Sequence, residues 1–178
     1  MAKFPRAAAL ALFRAHIENG LSVAAGVGLT GLLAGWALGF DAAVAAASGA
    51  VAISVSDQPD PLRQKPWVLG WALLIGLVFS SLAVFAPFWL APYSFIAVVV
   101  ATGIWTGVIS AYGKRALSLS MTGVLTLVYA MGHHFSTPGD AARYLDFFMA
   151  GGLVYALYAG IFALLFDDRA RRLALAEA

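Results

Sequence analysis

Cysteine is absent from this chain, and charged residues make up only 11% of its 178 residues. The absence of cysteine excludes disulfide bonds and thiolate chemistry. The small charged fraction stands beside 62% hydrophobic residues, a composition typical of an integral membrane protein. The basic residues are scattered over separate segments and form no continuous face for nucleic acid. We therefore predict an all-α membrane protein whose main partner is the lipid bilayer and which binds no nucleic acid.

Six apolar stretches are candidates for membrane crossings, because a helix needs roughly 20 largely apolar residues to cross about 30 Å of hydrocarbon. The second stretch is the shortest and consists mainly of alanine and valine. The predicted spans are residues 21–40, 42–54, 67–85, 90–109, 116–131 and 144–166. The sequence thus predicts a polytopic protein with six transmembrane helices.

The basic residues divide unevenly between the two sides that six crossings would create. Of the eleven lysines and arginines, Arg143 alone falls on one side. The ten on the other side are Lys3, Arg6, Arg14, Arg63, Lys65, Lys114, Arg115, Arg169, Arg171 and Arg172. Because basic loops face the cytoplasm, this pattern predicts that both termini are cytoplasmic and that the second stretch is a true crossing.

The chain is predicted to form a single transmembrane domain, residues 1–178, with three parts. Residues 1–19 are expected to form a short interfacial helix, with basic residues on one arc and apolar residues on another. Residues 20–166 are predicted to form the six-helix bundle, and residues 167–178 a cytoplasmic tail.

Small residues recur at every fourth position in four of the predicted spans. Such stripes let helix backbones approach closely in lipid, where the hydrophobic drive for association is small. Helix packing is the simplest role for them, and a dimer seam or a permeation path is the alternative. The stripes are Gly31, Gly35 and Gly39; Ala42, Ala46, Ala50 and Ser54; Gly103 and Gly107; and Gly152, Ala156 and Gly160.

The segment after the second span combines charges with two prolines, which stiffen the chain and stop the helix. Asp57 and Arg63 are placed to form an ion pair across this turn. One interpretation is a rigid turn with basic residues that only fix topology. The other is a mouth that gathers anions, with Arg63 or Lys65 as the attracting charge.

The start of the fifth span combines two cations with hydroxyl groups. Lys114 and Arg115 precede Ser118 and Thr122, and helical spacing places Arg115, Ser118 and Thr122 on one face. A guanidinium followed by hydroxyls suits a carboxylate ligand, which arginine binds through two parallel hydrogen bonds. An ordinary topology anchor is the alternative interpretation.

Other chemistry finds little support in the sequence. His133 and His134 lie near Asp140 and Asp146, but adjacent histidines point in different directions, so no metal site is predicted. No Gly-x-Ser-x-Gly motif is present, and no pair of groups has catalytic spacing, so we expect neither an enzyme nor a cofactor.

The order of these motifs resembles the N-terminal membrane module of the fusaric acid resistance (FUSC) family, which includes bacterial inner-membrane proteins of the YccS type and aromatic acid exporters. The resemblance covers nearly the whole chain. It rests on the short second span, the proline turn from Ser54 to Arg63, Tyr112-Gly113-x-Arg115-Ala116 at the fifth span, and the stretch from Arg171 to Glu177.

This resemblance implies a dimeric six-helix module in the bacterial inner membrane that exports or conducts small organic anions, such as aromatic carboxylic acids. Arg63 and Arg115 would attract the carboxylate. Family members usually continue beyond the stretch that resembles Arg171 to Glu177 into a cytoplasmic helical region, so the tail here is expected to be its start. The alternative is a non-transporting membrane scaffold that recruits partner subunits, and a lipid-modifying enzyme is a third hypothesis.

Overall fold

The computed structural model describes residues 6–58, 64–89 and 94–165. These residues form six helices and no strand, which confirms the all-α prediction for this part of the chain. Each predicted span corresponds to one helix. The helices are α1 (Arg6–Leu38), α2 (Phe40–Ser54), α3 (Lys65–Trp89), α4 (Ser94–Ser110), α5 (Lys114–Met131) and α6 (Pro138–Leu165).

Three of the described helices are long and apolar enough to cross a membrane. The qualifying segments are Ile17–Leu38 in α1, Lys65–Phe88 in α3, and α6. The other three helices are apolar but shorter. The 15 residues of α2, for example, extend over about 22 Å, which is less than the roughly 30 Å of hydrocarbon. The length and apolar composition of the helices therefore support a membrane protein that combines three long helices with three shorter ones.

A single glycine joins α1 to α2. Gly39 has φ 96°, a left-handed conformation that a residue with a side chain rarely adopts. The chain reverses there, so that Gly31 faces Ala47 and Gly35 faces Ala43 across an antiparallel hairpin. The stripe in the first span thus packs against the second helix, and the predicted boundary at residue 40 was wrong because Phe40 already belongs to α2.

α1 is one continuous helix through residues 19 and 20, where the sequence placed the boundary between an interfacial helix and the first span. The structure shows no break at that position. Residues 166–178, which include all of the predicted tail, lie outside the described residues.

α2 and α6 run in the same direction, since Gly49 lies beside Phe148 and Ile53 lies beside Gly152. The two helices approach so closely that their backbones touch. A Cβ atom on Gly49 would overlap the carbonyl group of Phe148, and one on Gly151 would overlap the backbone of Ala46. Glycine is required at both positions because backbone atoms cannot rotate away as a side chain can. This crossing places α2 at the centre of the bundle, between α1, α5 and α6.

The remaining contacts arrange α3, α4 and α5 as a second group. α3 packs on α5, where Gly76 meets Thr126, and Gly123 meets the rings of Phe79 and Trp105. Trp105 therefore lies in helix packing, with its ring centroid 4.7 Å from that of Phe79. α4 packs on α5 and α3.

Two helix boundaries differ from the sequence prediction for identifiable reasons. α3 continues through Pro87 to Trp89, although the predicted span ended at residue 85. A proline in the last turn removes one backbone hydrogen bond, and only two helical residues follow it. The helix therefore tolerates the proline at this position. α6 begins at Pro138, six residues before the predicted start at residue 144.

The early start of α6 comes from a capping box. The Asp140 backbone N–H donates to Thr137 Oγ1, and the Thr137 backbone N–H donates to Asp140 Oδ2, each at 3.1 Å. Pro138 follows the cap, at a position where its missing N–H would be unpaired in any case. The Thr-x-x-Asp spacing is visible in the sequence and would have predicted this start.

Candidate functional site

The turn that follows α2 holds a buried carboxylate, that of Asp57. Its side chain is 9% exposed or less, and both oxygens are engaged. Oδ2 accepts a 2.8 Å hydrogen bond from the Tyr155 hydroxyl of α6, and Oδ1 lies 2.8 Å from Nζ of Lys65 at the start of α3. The carboxylate therefore joins the end of α2 to two other helices.

The local chain positions Asp57 by backbone hydrogen bonds that continue the last turn of α2. The Ser56 N–H donates to the Ile53 carbonyl, and the Asp57 N–H donates to the Ser54 carbonyl, each at 3.0 Å. Lys65 occupies the first position of α3, where the positive end of the helix dipole opposes a cation. The carboxylate of Asp57 offsets both that dipole and the lysine charge.

A cavity of about 500 Å³ lies between α3 and α6, beside this ion pair. Among the described residues that line it, Lys65 alone is charged. The apolar wall from α3 includes Leu69 and Leu73, and the wall from α6 includes Leu157, Ile161 and Leu164. These three α6 residues are exposed, so the cavity opens on the outer surface of the described bundle.

The composition of this cavity defines the ligand that it suits. Its volume falls in the range of about 300–1,000 Å³ that is typical of small-molecule sites. A ligand with an apolar body would contact the leucine-rich walls, and a single negative group would lie at Lys65. Gly70 and Gly160 also line the cavity, and a Cβ atom at either would meet nothing within 4 Å. The two glycines therefore leave open space for the ligand body.

The hydroxyl face predicted on α5 lies against α2. Ser118 is 7% exposed and its hydroxyl donates to the Arg115 carbonyl at 2.9 Å. Thr122 is fully buried, and its hydroxyl lies 3.0 Å from both the Ser56 hydroxyl and the Ala52 carbonyl. Thr122 therefore forms a polar contact between α5 and the end of α2, whereas the buried Ser118 hydroxyl bonds within α5 itself.

The predicted cations are placed differently from one another. Arg115 is exposed at the start of α5, and Lys65 is 13% exposed beside Asp57. The side chain of Lys114 and the whole of Arg63 lie outside what the structure describes. The sequence suggested Arg63 as the partner of Asp57, whereas the structure shows Lys65 in contact with this carboxylate.

Sequence reasoning missed Tyr155, which connects Asp57 to α6. The tyrosine hydroxyl within an apolar helix could have indicated a polar contact, because a buried tyrosine normally needs a hydrogen-bond partner. The partner itself was not predictable, since it lies 98 positions away in the chain.

The opposite end of the bundle carries a smaller cavity of about 180 Å³ near His133 and His134. The Nδ1 atom of His133 lies 3.0 Å from the Tyr129 carbonyl. Within residues 6–58, 64–89 and 94–165, no group of three or more His, Asp or Glu side chains could hold a metal ion.

Comparison with known proteins gives one family match. Residues 71–178 match the family model described as FUSC-like inner membrane protein yccS. The matched region contains the Tyr112-Gly113-x-Arg115-Ala116 and Arg171 to Glu177 motifs, and the proline turn precedes it. Neither curated proteins nor solved structures give a significant match.

Proposed function

Because the chain belongs to the FUSC-like family of inner membrane proteins, we propose that it carries small organic anions, such as aromatic carboxylic acids, out across the bacterial inner membrane. The family match and the apolar helices support a membrane location and a transport-related role. The observation that carries the proposal is Lys65 at the edge of the apolar cavity between α3 and α6. An aromatic acid combines an apolar ring with one carboxylate, which are the two features that this cavity accommodates.

The proposed topology has six crossings with both termini in the cytoplasm. The helix contacts support it, because α1 and α2 are antiparallel whereas α2 and α6 are parallel, as alternating crossings require. The charge distribution of the sequence supplies the orientation. In this arrangement Lys65 and Arg115 lie towards the cytoplasmic side, where anions would be collected for export.

A homodimer is also part of the proposal. The outer face of α4 supports it, because Cβ atoms at Gly103 and Gly107 would meet nothing within 4 Å, and Ile104 beside them is 64% exposed. A small-residue stripe of this kind allows close approach of another helix in lipid. The same face is the observation that favours the alternative of a scaffold with partner subunits. Purified protein that transports no anion but retains a bound partner subunit would support the scaffold.

The test of transport compares two variants that differ only at Lys65. Asp57→Asn keeps the lysine charge, and the double variant Lys65→Gln with Asp57→Asn removes both charges and so leaves no unpaired charge at the buried position. In proteoliposomes, we expect Asp57→Asn to retain benzoate flux and the double variant to lose it.

Two controls define the outcome. Arg143→Gln removes a cation near the start of α6 that does not line the cavity. The Arg143 guanidinium contacts the Phe147 ring at 5.5 Å. The variant should therefore leave the flux unchanged. Neutral benzamide should not compete with benzoate for the protein. Undiminished benzoate flux through the double variant would disprove the role of Lys65 and, with it, the proposed anion site.

A further inference from the structure

Asp57 already neutralises the ammonium group that a bound anion would contact. Its Oδ1 atom lies 2.8 Å from Lys65 Nζ, and the lysine side chain is only 13% exposed. A ligand carboxylate at Lys65 would therefore meet a second carboxylate beside the same ammonium group. Two negative charges and one positive charge would leave a net charge in a largely buried place, which is costly.

The surroundings of Asp57 bring several groups to it from the packed helices. α3 contributes Lys65, and α6 contributes Tyr155, with Tyr158 next to it at a ring separation of 6.3 Å. α5 contributes the Thr122 hydroxyl, which contacts the neighbouring Ser56, and the exposed Arg115 lies about two turns before Thr122 on the same helix. α1 reaches this region through Gly26, which packs on both tyrosine rings.

The carboxylate also lies within the bundle and not at its tip. Tyr155 precedes the end of α6 at Leu165 by ten residues, or about 15 Å of helix. α2 itself extends over only about 22 Å before the turn. A net charge at this depth would be solvated poorly, so a process that keeps the site neutral is favoured.

We propose that Asp57 couples anion binding to proton uptake, an inference that rests on the proposed function of Lys65. When an anion binds at the lysine ammonium group, Oδ1 of Asp57 accepts a proton from hydronium or the acid form of the buffer in bulk solvent. The Tyr155 hydroxyl stays on Oδ2, and Lys65 keeps its charge throughout. The site is neutral before the exchange, with one lysine and one aspartate charge, and neutral after it, with one lysine and one ligand charge.

Such coupling is reciprocal by thermodynamic linkage. Protonation of Asp57 strengthens anion binding, and anion binding promotes protonation of Asp57. Asp57 is therefore the residue that makes occupancy of the cavity sensitive to pH.

The test uses the full chain in detergent and 2-naphthalenesulfonate as the probe, because a sulfonate stays ionised where a carboxylate would begin to protonate. For the native protein we expect the dissociation constant to fall by up to about tenfold for each unit that the pH is lowered, the limit for one linked proton. Probe binding in weak buffer should also take up as much as about one proton per anion, read with a pH indicator.

Asp57→Asn should bind the probe with an affinity that does not change between pH 5 and 8, without proton uptake. At neutral pH it should bind more tightly than the native protein, because Lys65 no longer has a competing carboxylate. A native pH slope in Asp57→Asn, or a complete loss of binding in the folded variant, would overturn the proposal.

A second variant tests the coupling without changing either charge. Tyr155→Phe removes the hydrogen bond that stabilises the ionised form of Asp57, so the pH dependence of binding should move to higher pH and keep its slope. An unchanged profile would contradict the role of Asp57. The double variant Lys65→Gln with Asp57→Asn separates the proposed anion site from the proposed proton coupling. If the double variant binds the probe as Asp57→Asn does, the anion site at Lys65 is wrong. If Asp57→Asn keeps the native pH slope, only the proton coupling is wrong.

Discussion

The Tyr155 hydroxyl donates a 2.8 Å hydrogen bond to Oδ2 of Asp57, 98 positions earlier in the chain. This bond connects the middle of α6 to the turn after α2, and Lys65 connects the same carboxylate to α3. Lys65 lines the cavity between α3 and α6. Because Lys65 contacts Oδ1 of Asp57, its position depends on the hydrogen bond that Tyr155 donates to Oδ2 of the same carboxylate. Stability and the proposed ligand binding are therefore linked at one carboxylate.

Removal of this hydrogen bond should destabilise the bundle. Tyr155→Phe should lower the free energy of unfolding by about 1.5–3 kcal/mol, the usual range for a hydrogen bond to a charged group. The matched control is Tyr158→Phe, one turn further along α6, whose hydroxyl lies 3.4 Å from that of Ser22. Its cost should be less than about 1 kcal/mol. Thermal unfolding in detergent gives both values, and equal losses would contradict the importance of the Asp57 bond.

The crossing of α2 and α6 should tolerate no side chain. Gly49→Ala would place a methyl group against the Phe148 backbone, which can move only if the helices separate. We expect a loss of about 1–3 kcal/mol or failure to form a monodisperse protein. Gly103→Ala on α4 adds the same methyl group where nothing lies within 4 Å, and it should be neutral or stabilising by up to about 1 kcal/mol. Size-exclusion chromatography and thermal unfolding compare the pair, and a stable Gly49→Ala protein would refute the close approach.

Filling the cavity should prevent anion binding without unfolding the protein. Gly160→Leu would project a side chain into the space between α3 and α6, where a Cβ atom meets no neighbour. We expect binding of 2-naphthalenesulfonate to weaken at least about tenfold, because the ligand body would lose its contact surface. Gly28→Leu adds the same side chain on the exposed face of α1, at a position that does not line the cavity, and should bind as the native protein does. Binding unaffected by Gly160→Leu would place the anion elsewhere.

The absence of cysteine allows the six crossings to be tested with single introduced thiols. Gln64→Cys before α3 and Tyr112→Cys before α5 should react with a membrane-impermeant maleimide only after the cells are opened, because both positions are predicted to face the cytoplasm. Gly139→Cys at the start of α6 should react once the reagent has passed the outer membrane. All three side-chain positions are exposed in the structure. Labelling of Gln64→Cys and Tyr112→Cys on opposite sides would exclude six crossings.

Replacement of a hydroxyl on α5 distinguishes packing from ligand binding. Thr122→Val keeps the shape of the side chain but removes its contacts with Ser56 and Ala52. If the hydroxyls form a packing seam, stability should fall by about 1–3 kcal/mol and the affinity for 2-naphthalenesulfonate should stay within about twofold. Stability and affinity are measured on the same detergent sample. A large loss of affinity with unchanged stability would instead support the sequence prediction that Thr122 binds the anion.

The predicted helices agree with the structure where the local chain decides them. Each of the six apolar stretches is a helix, and Gly31 and Gly35 pack against a neighbouring helix as their spacing predicted. The errors lie at helix ends, as at Pro87 and Pro138, because one proline is tolerated in a last turn and the other follows a cap. The family resemblance was also correct, since the family model matches residues 71–178.

The candidate site shows where sequence reasoning stops. Lys65 was predicted as an anion-attracting charge, but its contact with Asp57 was not, nor was the contact of Asp57 with Tyr155. Ser118 and Thr122 are both buried on α5, and the Thr122 hydroxyl contacts α2 instead of open space. Helical spacing determines which residues share a face, whereas the neighbouring helix determines what that face contacts.

The sequence alone determined the class of this protein, because hydrophobicity, the length of apolar stretches and small-residue spacing are properties of single segments. The tertiary structure alone decided which side chains meet. Gly49 and Gly151 let α2 and α6 touch, and this contact brings Tyr155 to Asp57. The pairing of a buried charge depends on distances between segments that are far apart in the chain, and the packing of helices sets those distances.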